Sequence, residues 1–338
     1  MAAVAGHDGG MNPLSVRDRA LDLAFAAGWG AIKRLPERVA AAGFRAAADV
    51  AVRRQSKGVQ RLRANLRRVV GPQCPEPEFD ALVKSAMRSY GRYWLETFRL
   101  PTMDLDEVAA RVDASTEGTE HIDRAMAAGR GLIIALPHMG NWDVAAIWLI
   151  KHGVAFTTVA ERLRPESLYD RFVAYREGIG MRVVAVTGGP RPAAEILAAR
   201  LRSGECVCLV ADRDLSRSGV DVEFFGATAR MPAGPALLAA TTGATLLPVG
   251  LWFTGDGGWG QHIGPPVDLL EQHRMRERVA TGTQTLANAF AAHITAHPSD
   301  WHMLQRLWLA DLDASGTLGD APDAVLVPGA NSTHTTGG

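Results

Sequence analysis

Residues Gly131–Ile150, GLIIALPHMGNWDVAAIWLI, begin as an apolar run of strand length and end as an apolar run of helix length. Between them stand two ionisable groups, His138 and Asp143. A group buried in such surroundings has to be neutral, paired or functional, because desolvation penalises its charged form. Pro137 ends the strand, Gly140 permits a tight turn, and Asn141 is a good N-cap for the helix that follows. On one continuous helix the two side chains would lie about 140° apart and could not meet. The turn places His138 at the C-terminal end of a strand and Asp143 in the first turn of a helix, where the two can fold together. Asp143 is therefore expected to hydrogen-bond one ring nitrogen of His138, leaving the other to take a proton from a substrate hydroxyl. Spacing alone makes this a weak signal; its seating between a strand and a capped helix at the sheet edge, where such folds place ligands, strengthens it.

Downstream, apolar strand-length runs alternate with helices of ten or more residues. The strands are expected at 155–160, 182–187, 206–211, 220–225 and 245–252, and the helices at 142–152, 165–178, 192–202, 233–242 and 274–296. The fold class is α/β, with a central, mostly parallel or mixed sheet flanked by helices on both faces and preceded by N-terminal amphipathic helices. The expected divisions are a tail at 1–13, a basic helical subdomain at 14–117, an α/β domain at 118–314 and a tail at 315–338.

Two further polar clusters follow later strands. One holds Glu161, Arg162, Arg164 and, a helix later, Arg176; the other holds Asp212, Arg213 and Asp214. Both lie where strands should end, on the same edge as His138, which suggests one site. The apolar run 224–239 is a candidate lining for a groove.

Several classes are set aside. The three cysteines form no disulfide framework and have no zinc spacing. No G-x-G-x-x-G or G-x-x-x-x-G-K accompanies a strand, so neither dinucleotide nor P-loop chemistry is expected. No metal site is expected, since no second histidine stands at ligand spacing from His138. The N-terminus lacks the basic and apolar regions of a signal peptide, and no stretch reads as a membrane span. Net charge is zero over 338 residues, but residues 14–70 hold thirteen Lys or Arg against four Asp or Glu. With apolar residues at helical spacing (Trp29, Val59, Leu62, Leu66), this segment suits an anionic membrane surface; no nucleic-acid motif accompanies the charge. A G-x-S-x-G nucleophile motif is absent, so a substrate hydroxyl is expected to attack directly.

The ordered set HMGNWD, RP with a downstream Arg, DRD, FFG, the PAGPALLAATTGA run with PV, and QRLW resembles the bacterial lysophospholipid and lipid A acyltransferase superfamily over residues 90–308. Within it the chain is most similar to the mycobacterial branch that acts on phosphatidylinositol mannosides. The resemblance implies a glycerolipid-acyltransferase-like fold and an acyl-CoA, palmitoyl-CoA, as co-substrate with no cofactor. The implied acceptor is the 6-hydroxyl of the mannose on the inositol 2-position, and the implied setting is the cytoplasmic side of the cell membrane as a peripheral protein. It makes His138 the base and Asp143 its partner, with Glu161, Arg164, Arg176, Asp212 and Arg213 binding substrate; Asp214 is the alternative to Asp212. Backbone N–H groups or Arg176 would stabilise the oxyanion. Two rival readings use the same residues: a thioesterase or lipid hydrolase activating water, and a carrier that binds lipid without chemistry.

Overall fold

The computed structural model describes residues 27–161, 166–189, 191–214, 219–269 and 274–311. Its central strand is β2, Leu132–Leu136, the five-residue apolar run before His138, buried at every position. β5 (Cys206–Val210) pairs with it in parallel on one side and β8 (Thr245–Phe253) in parallel on the other. Outward from β5 lie β3 (Phe156–Ala160) and β4 (Arg182–Ala185), also parallel. Outward from β8 lies antiparallel β9 (Trp259–Ile263), to which the short β1 (Thr116–Glu117) runs parallel. The sheet order is β1-β9-β8-β2-β5-β3-β4, and β6 (Val220–Phe224) with β7 (Ala227–Met231) forms a separate hairpin. The sheet is thus mostly parallel with a mixed edge, as expected for strands buried on both faces.

Helices α5 (Leu105–Asp113), α6 (Thr119–Ala127), α7 (Trp142–Lys151), α8 (Glu166–Gly178), α9 (Ala193–Arg202), α10 (Gly234–Thr242) and α11 (Met275–Ala296) surround the sheet. Strands β1, β7 and β9 escaped the sequence reading. β1 has only two residues, and Gly260 interrupts the apolar pattern of β9. The run 224–239, a candidate groove lining, is core instead: Phe224, Ala229, Met231 and Ala236 are buried, and none of the run faces the cavity described below.

The N-terminal helices are the described part of α1 (27–34), α2 (Glu37–Arg53), α3 (Lys57–Val70) and α4 (Glu76–Arg99). Their apolar stripes, including Trp29, Val59, Leu62 and Leu66, share one continuous core with the sheet. Part of the basic excess is neutralised internally. Arg63 pairs with Glu76 and Asp80, Arg67 with Glu76, Arg68 with Asp311, and Arg88 with Asp49. The outward-facing charge lies on α1 and α2, where Arg34 and Arg38 flank Leu35 and Val39, 42% and 55% exposed. Among the described residues, no helix is long and apolar enough to cross a membrane, and no group of three or more His, Cys, Asp or Glu is placed to hold a metal ion.

Candidate active site

The turn after β2 is built as its residues require. Gly140 has φ +57°, and a Cβ there would stand 2.8 Å from the backbone carbon of Leu251, so the close approach needs glycine. Asn141 caps α7, its side-chain oxygen accepting from the N–H groups of Asp143 at 3.1 Å and Val144 at 3.2 Å. Its amide nitrogen in turn donates to buried Glu96 on α4 at 2.7 Å, which also accepts from the Trp259 indole at 2.8 Å. The loop bearing His138 is thus anchored to the helical segment and to the sheet.

The expected hydrogen bond between Asp143 and His138 is not made. The His138 ring pairs through Nδ1 with Asp212, and Asp212 Oδ2 also accepts the His138 backbone N–H at 2.9 Å. Register is the reason. Leu136 lies opposite Val210 in the parallel β2–β5 ladder, so residues two beyond each, 138 and 212, leave the sheet side by side. Asp143, in the first turn of α7 and wholly buried, instead holds Arg176 of α8 at 3.2 Å, with Thr97 donating at 3.5 Å. Asp214, the other acid considered, accepts the Gly219 N–H at 2.9 Å.

Asp212 is fully buried and burial opposes its ionisation, yet the adjacent His138 ring and the donors on it hold its carboxyl below the usual range. One of those donors was missed in the sequence. The indole N–H of Trp301, itself wholly buried, reaches Asp212 Oδ2 at 2.9 Å. The segment around it grips the same loop: Gly140 N–H donates to Asp300 O at 2.9 Å, and His302 N–H to His138 O at 2.7 Å. The His302 ring is buried against Ser89 and pushed down to about 3 by burial, with His138 adding to the effect. Nothing in the spacing of PSDWHM links it to a histidine so far upstream; only the cluster of aromatic and polar residues after a long helix hints at a role.

Arg176 is buried, which works against its charge, but Asp143, Tyr93 and Tyr175 together outweigh that and raise its pKa. Arg213 is different. Its side chain is 11% exposed and its nearest carboxylate is Glu161, at 3.8 Å and itself 57% exposed. Burial lowers its pKa, opposed by Glu161 and Asp212. Arg164 lies outside the described residues.

His138, Asp143, Glu161, Arg176 and Arg213 all line one cavity of about 320 Å³. Its depths are apolar, with Ile122, Ile134, Leu149, Phe156 and Ile263 each 6% exposed or less. Its aromatic walls include Tyr93, Trp94, Trp142 and Phe172. The His138 side chain, 32% exposed, stands at the polar end. A polar proton acceptor therefore opens onto a pocket suited to a long apolar ligand.

A model of the bacterial lipid A biosynthesis acyltransferase family matches residues 11–310. Proteins named phosphatidylinositol mannoside acyltransferase in two strains of Mycobacterium tuberculosis are 50% identical to this chain over 302 residues, covering 89% of it and 92% of their own length. A protein of the same name in Mycolicibacterium smegmatis is 50% identical over 292 residues, 86% of this chain and 92% of its own. Most of the chain, including the histidine loop, both neighbouring clusters and the segment around Trp301, falls within these matches. The chain belongs to the bacterial lipid A biosynthesis acyltransferase family and is an acyltransferase.

Proposed function

We propose that the protein moves a palmitoyl chain from acyl-CoA to the 6-hydroxyl of the mannose on the inositol 2-position of a phosphatidylinositol mannoside. The observation that carries this reading is the His138–Asp212 pair opening onto an apolar cavity. The acceptor class comes from the names of the mycobacterial relatives. With Nδ1–H given to Asp212, Nε2 is left as the lone-pair nitrogen, the form a general base needs. The acceptor hydroxyl gives its proton to Nε2 as its oxygen attacks the thioester carbonyl. Asp212 stabilises the imidazolium, which then returns the proton to the departing coenzyme A sulfur. Asp143 acts at one remove, fixing Arg176 and the first turn of α7. The acyl chain lies in the cavity, where burial of its methylenes supplies binding energy of about 0.8 kcal/mol each. Glu161, exposed at the cavity wall, is available to sugar hydroxyls, and Arg164 is assigned with it to the polar acceptor.

Membrane docking is assigned to α1 and α2, where Leu35 and Val39 project between Arg34 and Arg38. Such a surface suits the anionic cytoplasmic leaflet as a peripheral contact. The test is coenzyme A release from palmitoyl-CoA, with and without a phosphatidylinositol mannoside, in wild type and His138→Ala. Acceptor-dependent release, with acylated glycolipid as product and loss in the variant, supports the proposal. Release without acceptor makes the protein a thioesterase; lipid binding without release in either protein makes it a carrier.

A further inference from the structure

Acyl transfer puts a full negative charge on the thioester carbonyl oxygen, and a site of mostly apolar walls has to meet it with a donor not already engaged. The loop beside His138 offers few. The His138 N–H is held by Asp212, Met139 by Pro137 O at 2.8 Å, and Gly140 by Asp300 O. The N–H groups of Asp143 and Val144, at the start of α7, are both taken by the Asn141 side chain. Of the two arginines that line the cavity among the described residues, Arg176 is ion-paired with fully buried Asp143.

Among the described residues that line the cavity, Arg213 is the cation left over. Its Nε is buried and has no hydrogen-bond partner among the described residues. Its nearest carboxylate, on Glu161, stands at 3.8 Å, beyond hydrogen-bond reach. Asp212, its chain neighbour, acts on it through space but makes no hydrogen bond to it, its carboxylate oxygens accepting from His138 and Trp301. A buried guanidinium without a close partner is costly to keep, and burial does lower its pKa. That cost is offset when an anion arrives. A phosphate would have to leave water to enter these apolar surroundings, whereas an oxyanion is generated inside them.

We propose that Arg213 is a catalytic residue whose guanidinium receives the oxyanion formed on the thioester carbonyl. This rests on the acyl-transfer reading above. In the first step the acceptor O–H bond breaks, its proton goes to His138 Nε2 and the new C–O bond forms. The carbonyl π pair moves to oxygen, opposite Arg213. In the second step that pair re-forms the carbonyl, the C–S bond breaks, and the sulfur takes the proton from the imidazolium. Arg213 holds charge in between and exchanges no proton.

The experiment compares wild type, Arg213→Gln and Arg213→Lys. It measures kcat and KM with palmitoyl-CoA and a phosphatidylinositol mannoside, and the Kd of S-hexadecyl-CoA, a thioether that has no carbonyl oxygen. The expected result for Arg213→Gln is a fall in kcat of about 10²–10³-fold, with KM for both substrates and the thioether Kd changed by less than about threefold. Arg213→Lys should recover about tenfold of that loss by restoring the charge without the fork. Retained kcat with a raised KM for either substrate overturns the proposal in favour of ground-state binding. A thioether Kd weakened as much as kcat, in both variants, overturns it in favour of a structural role. A wild type that transfers nothing overturns the acyl-transfer reading itself, and an active wild type with an undiminished Arg213→Gln overturns only this inference.

Discussion

At the residue scale, the site assigns two aspartates differently from the sequence reading, which made Asp143 the partner of His138 and placed Asp212 among the substrate-binding residues. Asp212 is the carboxylate on the His138 ring and Asp143 the counter-ion of Arg176, so their amides should fail differently. Asp212→Asn leaves the shape intact but offers the ring no full charge, and kcat should fall by about 10³–10⁴-fold with little change in Tm. Asp143→Asn leaves Arg176 buried without its counter-ion, and thermal melts should show a loss of about 3 kcal/mol alongside any loss of rate. Equal losses of stability in the two variants would remove the distinction. Trp301→Phe keeps the aromatic volume while deleting one donor to Asp212 Oδ2. The carboxyl should rise toward its ordinary value, and kcat/KM should fail on the acid side at a higher pH than in wild type; an unchanged profile would make Trp301 a packing residue only. How much of this was legible follows from register. His138, Asp212, Arg213 and Glu161 were each readable as strand-end residues, because each follows an apolar run. That β5 rather than some other strand adjoins β2, with Leu136 opposite Val210, is a long-range fact that no local spacing encodes, and it decides which acid meets the histidine.

At the element scale, the strand–turn–helix of β2 and α7 was legible because its punctuation is local: Pro137, Gly140 and the Asn141 cap all do what those residue types do. Gly140→Ala tests the turn. It puts a Cβ into a left-handed position against Leu251, so a loss of about 2 kcal/mol or more in chemical denaturation is expected. The N-terminal helices were legible as amphipathic, but not which of their charges are neutralised, since Arg63, Arg67 and Arg68 of α3 find partners on α4 and in Asp311. The face left outward carries the membrane proposal. Leu35→Glu with Val39→Glu should weaken sedimentation with anionic vesicles at least tenfold while leaving activity toward detergent-dispersed substrate unchanged. Undiminished vesicle binding would move the docking surface elsewhere.

At the scale of the whole molecule, buried histidines set the acid limit of the fold. Burial holds His302 at about 3 and, with His262 and His297 nearby, His293 at about 4. Both lie below the unfolded value of about 6.5, so the unfolded chain binds more protons between the two values, and stability falls as pH drops through 6.5. Asp212, depressed rather than raised, adds a further loss only at lower pH, as its carboxyl is protonated. Stability should therefore decline from pH 7 toward 5, by about 2 kcal/mol for each of the two histidines at pH 5, seen as a falling Tm, and His293→Gln should roughly halve the decline. A flat wild-type profile would refute the assignment.

The clasp formed by Asp300, Trp301 and His302 also orders events in time. Asp212 receives one of its three donors from a residue 89 positions further along the chain, and the histidine loop is pinned by the same late segment. A ribosome that has delivered every strand of the sheet has still not delivered the residues that fix the base in place. A nascent chain ending short of Trp301 thus carries every strand of the sheet, the cavity wall and the histidine, but lacks the contacts that position the ring, so the site is completed only when synthesis has passed that point.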